Sequence, residues 1–92
     1  MSLPLAFVDL ETTGPTAAFD RITEIGIVRV DETGVNEWHR LVNPGRPIPP
    51  MIQSLTGISN EMVRSAPPFA DVAAEVAERL QGCLFIAHNA RF

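Results

Sequence analysis

The stretch "FVDLETTGP" places Asp9 and Glu11 two residues apart in an apolar run that then breaks into threonine, glycine and proline. Alternate side chains of an extended strand share a face, so Asp9 and Glu11 point the same way with Cα atoms ~6.5 Å apart, at ~3.3 Å rise per residue. Two carboxylates placed like this repel one another unless a cation lies between them. Hard oxygen donors favour Mg²⁺ or Mn²⁺ over zinc. Thr12, Thr13, Gly14 and Pro15 end the strand directly behind the acids. That sets the pair near the strand's carboxyl end, where open α/β sheets bind ligands, and frees backbone amides for a substrate. A bare D-x-E pattern equally describes an acid pair that is solvated or caps a neighbouring turn. The two residues alone leave both readings open.

The elements that must position this pair follow from periodicity. "LPLAFVDLET" is apolar on both faces, which predicts a central strand in a sheet covered on both sides. "ITEIGIVRV", the turn "DETG" and the returning "VNEWHRLVNP" predict a hairpin, in which Val35, Glu37, His39 and Leu41 alternate with Asn36, Trp38, Arg40 and Val42. Trp38 is expected to pack under this hairpin and His39 to be solvated. "NPGRPIPP" holds four of the eight prolines and is therefore a stiff connection. "PMIQSLTG" predicts a short helix with Pro50 in its first turn and Gly57 at its end, and "SNEMVRSA" a second helical turn capped by Ser59 or Asn60.

Phe69, Val72, Ala73, Val76, Ala77 and Leu80 recur at helical spacing, with Asp71, Glu75 and Glu78 on the outer face, Glu75 in reach of Arg79, and Gly82 closing the helix. "CLFIAH" then predicts a second buried strand, with Cys83 as a buried thiol. Reached through a helix, it should run parallel to the first. The order strand, hairpin, strand, helix, strand is an α/β arrangement with a mixed sheet.

At 92 residues and 10.0 kDa the chain is one domain or part of one. Its net charge is −4, and its seven basic residues are all arginines scattered along the sequence. Without a basic patch, broad electrostatic binding of long nucleic acid is disfavoured, which leaves room for a site that grips only a strand end through metal ions. No apolar run approaches the ~18 residues of a membrane span. The N-terminus lacks the pattern of a secretory leader and there is a single cysteine, so a cytoplasmic location is expected.

"VDLETTG" resembles the first motif of the DEDD (DnaQ-like) 3′–5′ exonucleases, the group that includes the proofreading epsilon subunit of bacterial DNA polymerase III. "LTGIS", "NEMV", "APPFADV" and "FIAHNARF" resemble later segments of the family in the same order, so the resemblance runs over residues 5–92. It implies a ribonuclease H-like mixed sheet: an antiparallel three-strand meander plus a parallel strand, with helices, truncated after the fourth strand. It also implies a hydrolase that cuts phosphodiester bonds at the single-stranded 3′ end of DNA with two divalent metals, Mg²⁺ or Mn²⁺, in proofreading, replication or repair, with a DNA polymerase subunit as a candidate partner.

By the same resemblance Asp9 and Glu11 are catalytic metal ligands, Leu10 and Thr12 hold the terminal nucleotide through their backbone, Leu55 and Thr56 lie against its base or sugar, and Phe92 lines its pocket. Family members often carry histidine where Thr56 stands, so a contact made by that ring is not expected here. An RNA-trimming relative would share the motif, because nothing in it reads a 2′-hydroxyl.

The second motif of the family expects an Asp one position beyond Phe92, and the third, with its general base and last Asp, falls outside residues 1–92. These residues are therefore expected to be the N-terminal part of a single exonuclease domain, inactive alone and prone to self-association through an uncovered strand. His88 and Asn89 would shape the strand end, and Arg91 would be solvated. A reading from another class is a non-catalytic ribonuclease H-like interaction module.

Overall fold

A computed structural model describes residues 3–87 of the chain. His88, Asn89, Arg91 and Phe92, assigned above to a strand end, a surface and a nucleotide pocket, lie outside the described residues. The first strand, β1 (Leu5–Thr12), takes an inner place between β2 (Ile22–Asp31) and β4 (Leu84–Ala87), and β3 (Gly34–Leu41) lies beyond β2. β1, β2 and β3 form the expected antiparallel meander, and β4 runs parallel to β1.

The alternation of β1 decides its two faces. Ala6, Val8 and Leu10 turn toward α3 (Phe69–Leu80) and join the main core with Ile25, Ile27, Trp38, Val42, Val72 and Val76. Burying an apolar side chain of this size contributes ~1.5–3 kcal/mol, so this one face accounts for most of the cohesion between sheet and helix. Leu5, Phe7, Asp9 and Glu11 turn the other way. That second face is open among the described residues, with Phe7 41% exposed, as an apolar strand of a partial domain would leave it.

β4, buried by composition but expected as an uncovered strand in residues 1–92, follows the second expectation. Leu84, Phe85 and Ile86 are all exposed rather than buried. The register explains it: β4 pairs only with β1, whereas α3 packs over β2, so Phe85 finds no helix above it and Ile86 shares the open face with Phe7. Cys83 is half-buried, with its Sγ 3.8 Å from the carbonyl oxygens of Arg79 and Gln81.

In α3 the helical spacing is realised, but only Val72 and Val76 are fully buried, and Phe69 and Ala77 stay exposed. Glu75, expected on the outer face, instead reaches back to the sheet and accepts from the Trp38 indole Nε1 at 3.1 Å. Its i,i+4 pair with Arg79 forms at 3.9 Å. Arg29 of β2 donates to the carbonyls of Arg79 and Gln81, placing a cation at the helix C-terminus where the orphan carbonyls collect.

The proline connection leads into α1 (Pro50–Thr56) and α2 (Asn60–Arg64). Gly57 ends α1 with φ 77°, a conformation few other residues adopt, and its N–H donates to the Gln53 carbonyl. Ser59, one of the two expected caps, begins α2 by accepting from the Met62 N–H at 3.2 Å. Ile48, Ile58 and Val63 form a second small cluster beneath these helices.

Candidate active site at the end of the first strand

The register across the meander places side chains in rows. Asp9 pairs with Gly26, which pairs with His39; Glu11 pairs with Glu24, which pairs with Leu41. Directly opposite residues of an antiparallel sheet point to the same side, so Asp9, Glu11, Glu24 and His39 share the open face. Asp9 is exposed, and Glu11 and Glu24 are half-buried. His39 is exposed, as expected, but it leans over its neighbour: a Cβ at Gly26 would come within 3.1 Å of His39 Nδ1. Phe7, Asp9, Val28, His39 and Ile86 line a cavity of about 390 Å³ on this face.

Leu10 and Thr12 belong to the opposite face. Leu10 packs against the main core, and Thr12 is 8% exposed with its hydroxyl donating to the Gly14 carbonyl at 2.6 Å. At both positions only the backbone is left to meet a ligand on the acid side. The pairing register slips between Glu11 and Thr12, so the strand breaks its regular ladder right after the second acid.

Leu55 and Thr56 sit on α1, a separate element. Leu55 is 80% exposed, an apolar side chain held out in solvent. The Thr56 hydroxyl donates to the Ile52 carbonyl at 2.9 Å and accepts from the Ile58 N–H at 3.1 Å, so it is spent on the helix end. The connection that leads to α1 is tied to the loop after β1 by Arg46, whose guanidinium donates to the Phe19 carbonyl.

The sequence left Glu24 and Asp20 unremarked and placed His39 in solvent without setting it beside the acids. Glu24 and His39 needed the hairpin register, which the alternation of β2 and β3 suggests only once their pairing is fixed. Asp20 accepts from Thr13 Oγ1 at 3.0 Å and from the Thr16 N–H at 2.8 Å, closing the loop that follows Glu11.

Two carboxylates on one open face suit a hard divalent ion. They form only part of a cage: among the described residues no group of three or more His, Cys, Asp or Glu is gathered to hold a metal. Also among them, no helix is long and apolar enough to cross a membrane.

This sheet, with an acid pair ending its inner strand, is that of an exonuclease domain, and the chain belongs to that family: residues 6–92 match the family described as "Exonuclease" (RNase_T). It is a DEDD-type domain with the ribonuclease H-like fold expected, and enzymes of this family use divalent metals. Curated relatives include proteins named 3′-5′ exonuclease DinG from Staphylococcus saprophyticus, 41% identical over 88 residues, and from Staphylococcus aureus strain USA300, 42% identical over 88 residues. Each match takes in 95% of this chain and 10% of the relative, so the chain spans about a tenth of their length.

Among solved structures, exonuclease X in complex with 5′ overhanging duplex DNA is 33% identical with a TM-score of 0.77, over 96% of this chain and 50% of that one. E. coli exonuclease I in complex with a dT13 oligonucleotide has a TM-score of 0.80 at 22% identity, over 96% of this chain and 21% of that one, a likeness of fold alone.

Proposed function

We propose that this chain is the N-terminal part of a single metal-dependent exonuclease domain that removes nucleotides from the 3′ end of DNA in repair or proofreading within the cytoplasm. The observation that carries this reading is the placement of Asp9 and Glu11 on one open face at the carboxyl end of β1, in a chain of the exonuclease family. Relatives named 3′-5′ exonuclease support the polarity, and the 33%-identical neighbour bound to duplex DNA supports DNA as substrate. The same relatives give no support to a polymerase subunit as partner.

In this reading Asp9 and Glu11 hold Mg²⁺ or Mn²⁺. Bound ions of this kind activate water and offset charge on the leaving oxygen of a phosphodiester. The backbone at Leu10 and Thr12 steadies the terminal nucleotide, since both side chains are turned into the protein. Leu55, projecting from α1, offers an apolar surface to the last base or sugar, with Thr56 beside it, and Phe92 is the further nucleotide contact that the family resemblance implies. In this reading the further acids and the general base that the family resemblance implies are supplied by the rest of the domain.

The test compares residues 1–92 with the full-length protein, titrating Mn²⁺ and following 3′-labelled single-stranded DNA and RNA. Metal-dependent loss of the 3′ label only in the longer chain, abolished by Asp9→Ala, is the expected result. Failure of the longer chain to bind divalent metal overturns the reading.

A second reading is favoured by the exposed Leu84, Phe85 and Ile86 on β4: residues 1–92 alone self-associate, as a non-catalytic ribonuclease H-like module would. A stable monomer in sedimentation velocity rules this out.

A further inference from the structure

The loop between β1 and β2 is closed by one carboxylate. Asp20 Oδ1 accepts from the Thr13 hydroxyl at 3.0 Å and Oδ2 accepts from the Thr16 N–H at 2.8 Å, so both oxygens are engaged by the limb that leaves β1. Thr13 passes the tie onward: its Oγ1 accepts from the Arg21 N–H at 3.0 Å, and its own N–H donates to the Arg21 carbonyl at 2.8 Å. The outgoing and returning limbs are thereby locked two residues beyond Glu11. Bonds to an ionised acceptor are the stronger kind, and Thr13, at 2% exposure, is shielded from competing water.

Gly14 makes room for this arrangement. A Cβ there would fall 2.6 Å and 2.7 Å from the two Asp20 carboxylate oxygens. Its φ lies outside the left-handed region, so space rather than conformation demands glycine at this position. Among the described residues the buried polar side chains are Thr12, Thr13 and Thr23, and Thr12 and Thr13 directly follow Glu11. The ladder to β2 slips after Glu11, and the side-chain ties of Asp20 and Thr13 add to the Thr13 N–H to Arg21 carbonyl bond in fixing the backbone there.

We propose that Asp20 is a positioning residue of the exonuclease site: by clamping Thr13 and Thr16 against Gly14 it sets the backbone that presents Glu11 to the metal and Thr12 to the terminal nucleotide. This rests on the function proposed above. Asp20 touches neither metal nor substrate; it acts through the turn.

The experiment uses the full-length protein and its Asp20→Ala, Asp20→Asn, Gly14→Ala and Asp20→Ala/Gly14→Ala variants. Mn²⁺ binding is read by electron paramagnetic resonance, and hydrolysis of a 3′-labelled single-stranded oligodeoxynucleotide by kcat and KM, all well below each variant's melting temperature. Asp20→Ala is expected to raise the Mn²⁺ midpoint and the KM tenfold or more. Asp20→Asn, which keeps one acceptor oxygen, should recover part of the loss. Gly14→Ala should act in the same direction, because its methyl expels the carboxylate, and it should add nothing in the Asp20→Ala background.

A fall in melting temperature with unchanged Mn²⁺ midpoint and KM in the folded variants reduces Asp20 to a structural residue and overturns the proposal. Should Asp20→Ala not fold, Asp20→Asn and Gly14→Ala decide it by the same readouts. A wild-type protein that binds Mn²⁺ but hydrolyses nothing sinks the proposed function, and the metal midpoints still judge Asp20 separately.

Discussion

The indole Nε1 of Trp38 donates to Glu75 Oε2 at 3.1 Å, joining strand β3 to helix α3 across 37 residues of sequence. Arg40 and Arg79 gather at the same place, with guanidinium carbons 5.4 Å and 5.0 Å from the Trp38 ring centroid, and both approach the Glu75 carboxylate. Surface ion pairs of this exposure contribute little by themselves. The indole bond is different, because Trp38 is 6% exposed and a buried N–H left without an acceptor is costly. Glu75→Ala is expected to cost ~1 kcal/mol, a fall of roughly 4–8 °C in melting temperature for a domain of this size. A double-mutant cycle with Trp38→Phe checks it: coupling near zero would mean the bond does not hold the helix to the sheet.

Gly26 and His39 supply a second prediction. A methyl at Gly26 meets the imidazole at 3.1 Å, yet His39 is exposed and free to swing aside. Gly26→Ala should therefore be close to neutral in the wild type, as the gain of a strand residue over glycine offsets the crowding. In a His39→Ala background the same change should stabilise by ~0.5–1 kcal/mol. Chemical denaturation of the four proteins measures both steps, and equal effects in the two backgrounds would refute the contact.

The core offers a graded test. Ile27 is 1% exposed and sits between Val8 and Trp38 in the cross-strand row. Ile27→Val should cost ~0.5–1.5 kcal/mol and Ile27→Ala ~2–5 kcal/mol. Ile48→Ala, in the second cluster, should leave near-ultraviolet dichroism from Trp38 intact at temperatures where Ile27→Ala has lost it, because Ile48 belongs to a separate packing unit.

Asp9 and Glu11 bear on metal dependence without any assay of activity. With a chelator present, Asp9→Asn should be neutral or slightly stabilising, since it relieves repulsion between two acids on one face. With Mn²⁺ in excess, the wild-type full-length protein should melt higher, and the variant should lose that rise. A variant that keeps the full metal-induced shift would remove Asp9 from the ligand set.

Asp31, the last residue of β2, has its carboxyl held below the ordinary 3.8, chiefly by the Thr33 hydroxyl and then by the Thr33 N–H. A carboxyl with a lowered folded value binds protons less readily than in the unfolded chain. Its contribution is therefore complete above 3.8 and is lost as pH falls through the lower folded value. Asp31→Asn and Thr33→Val should both flatten the acid limb of a melting-temperature profile, melting slightly below the wild type at neutral pH and converging with it in acid. An unchanged acid limb would contradict this.

Much of the frame was legible because it is local. The helix at Phe69–Leu80 follows from apolar spacing, the end of α1 from Gly57, and the start of α2 from Ser59. The acid pair was legible for the same reason, and its wider family for its motifs. What escaped depended on neighbours distant in sequence. Glu75 turned inward because Trp38 brought a buried N–H to meet it. β4 was expected buried from its composition, but burial needs a covering layer, and α3 spends its apolar face on β2.

The sequence by itself determined that Asp9 and Glu11 share a side, because the two-residue period of a strand is built into the backbone. Only the tertiary structure decided which side that is, since it depends on where α3 comes to rest. It alone also brought Glu24 and His39 onto that face, and Asp20 back against Gly14, because cross-strand register and loop closure are set by the pairing of segments far apart in the chain.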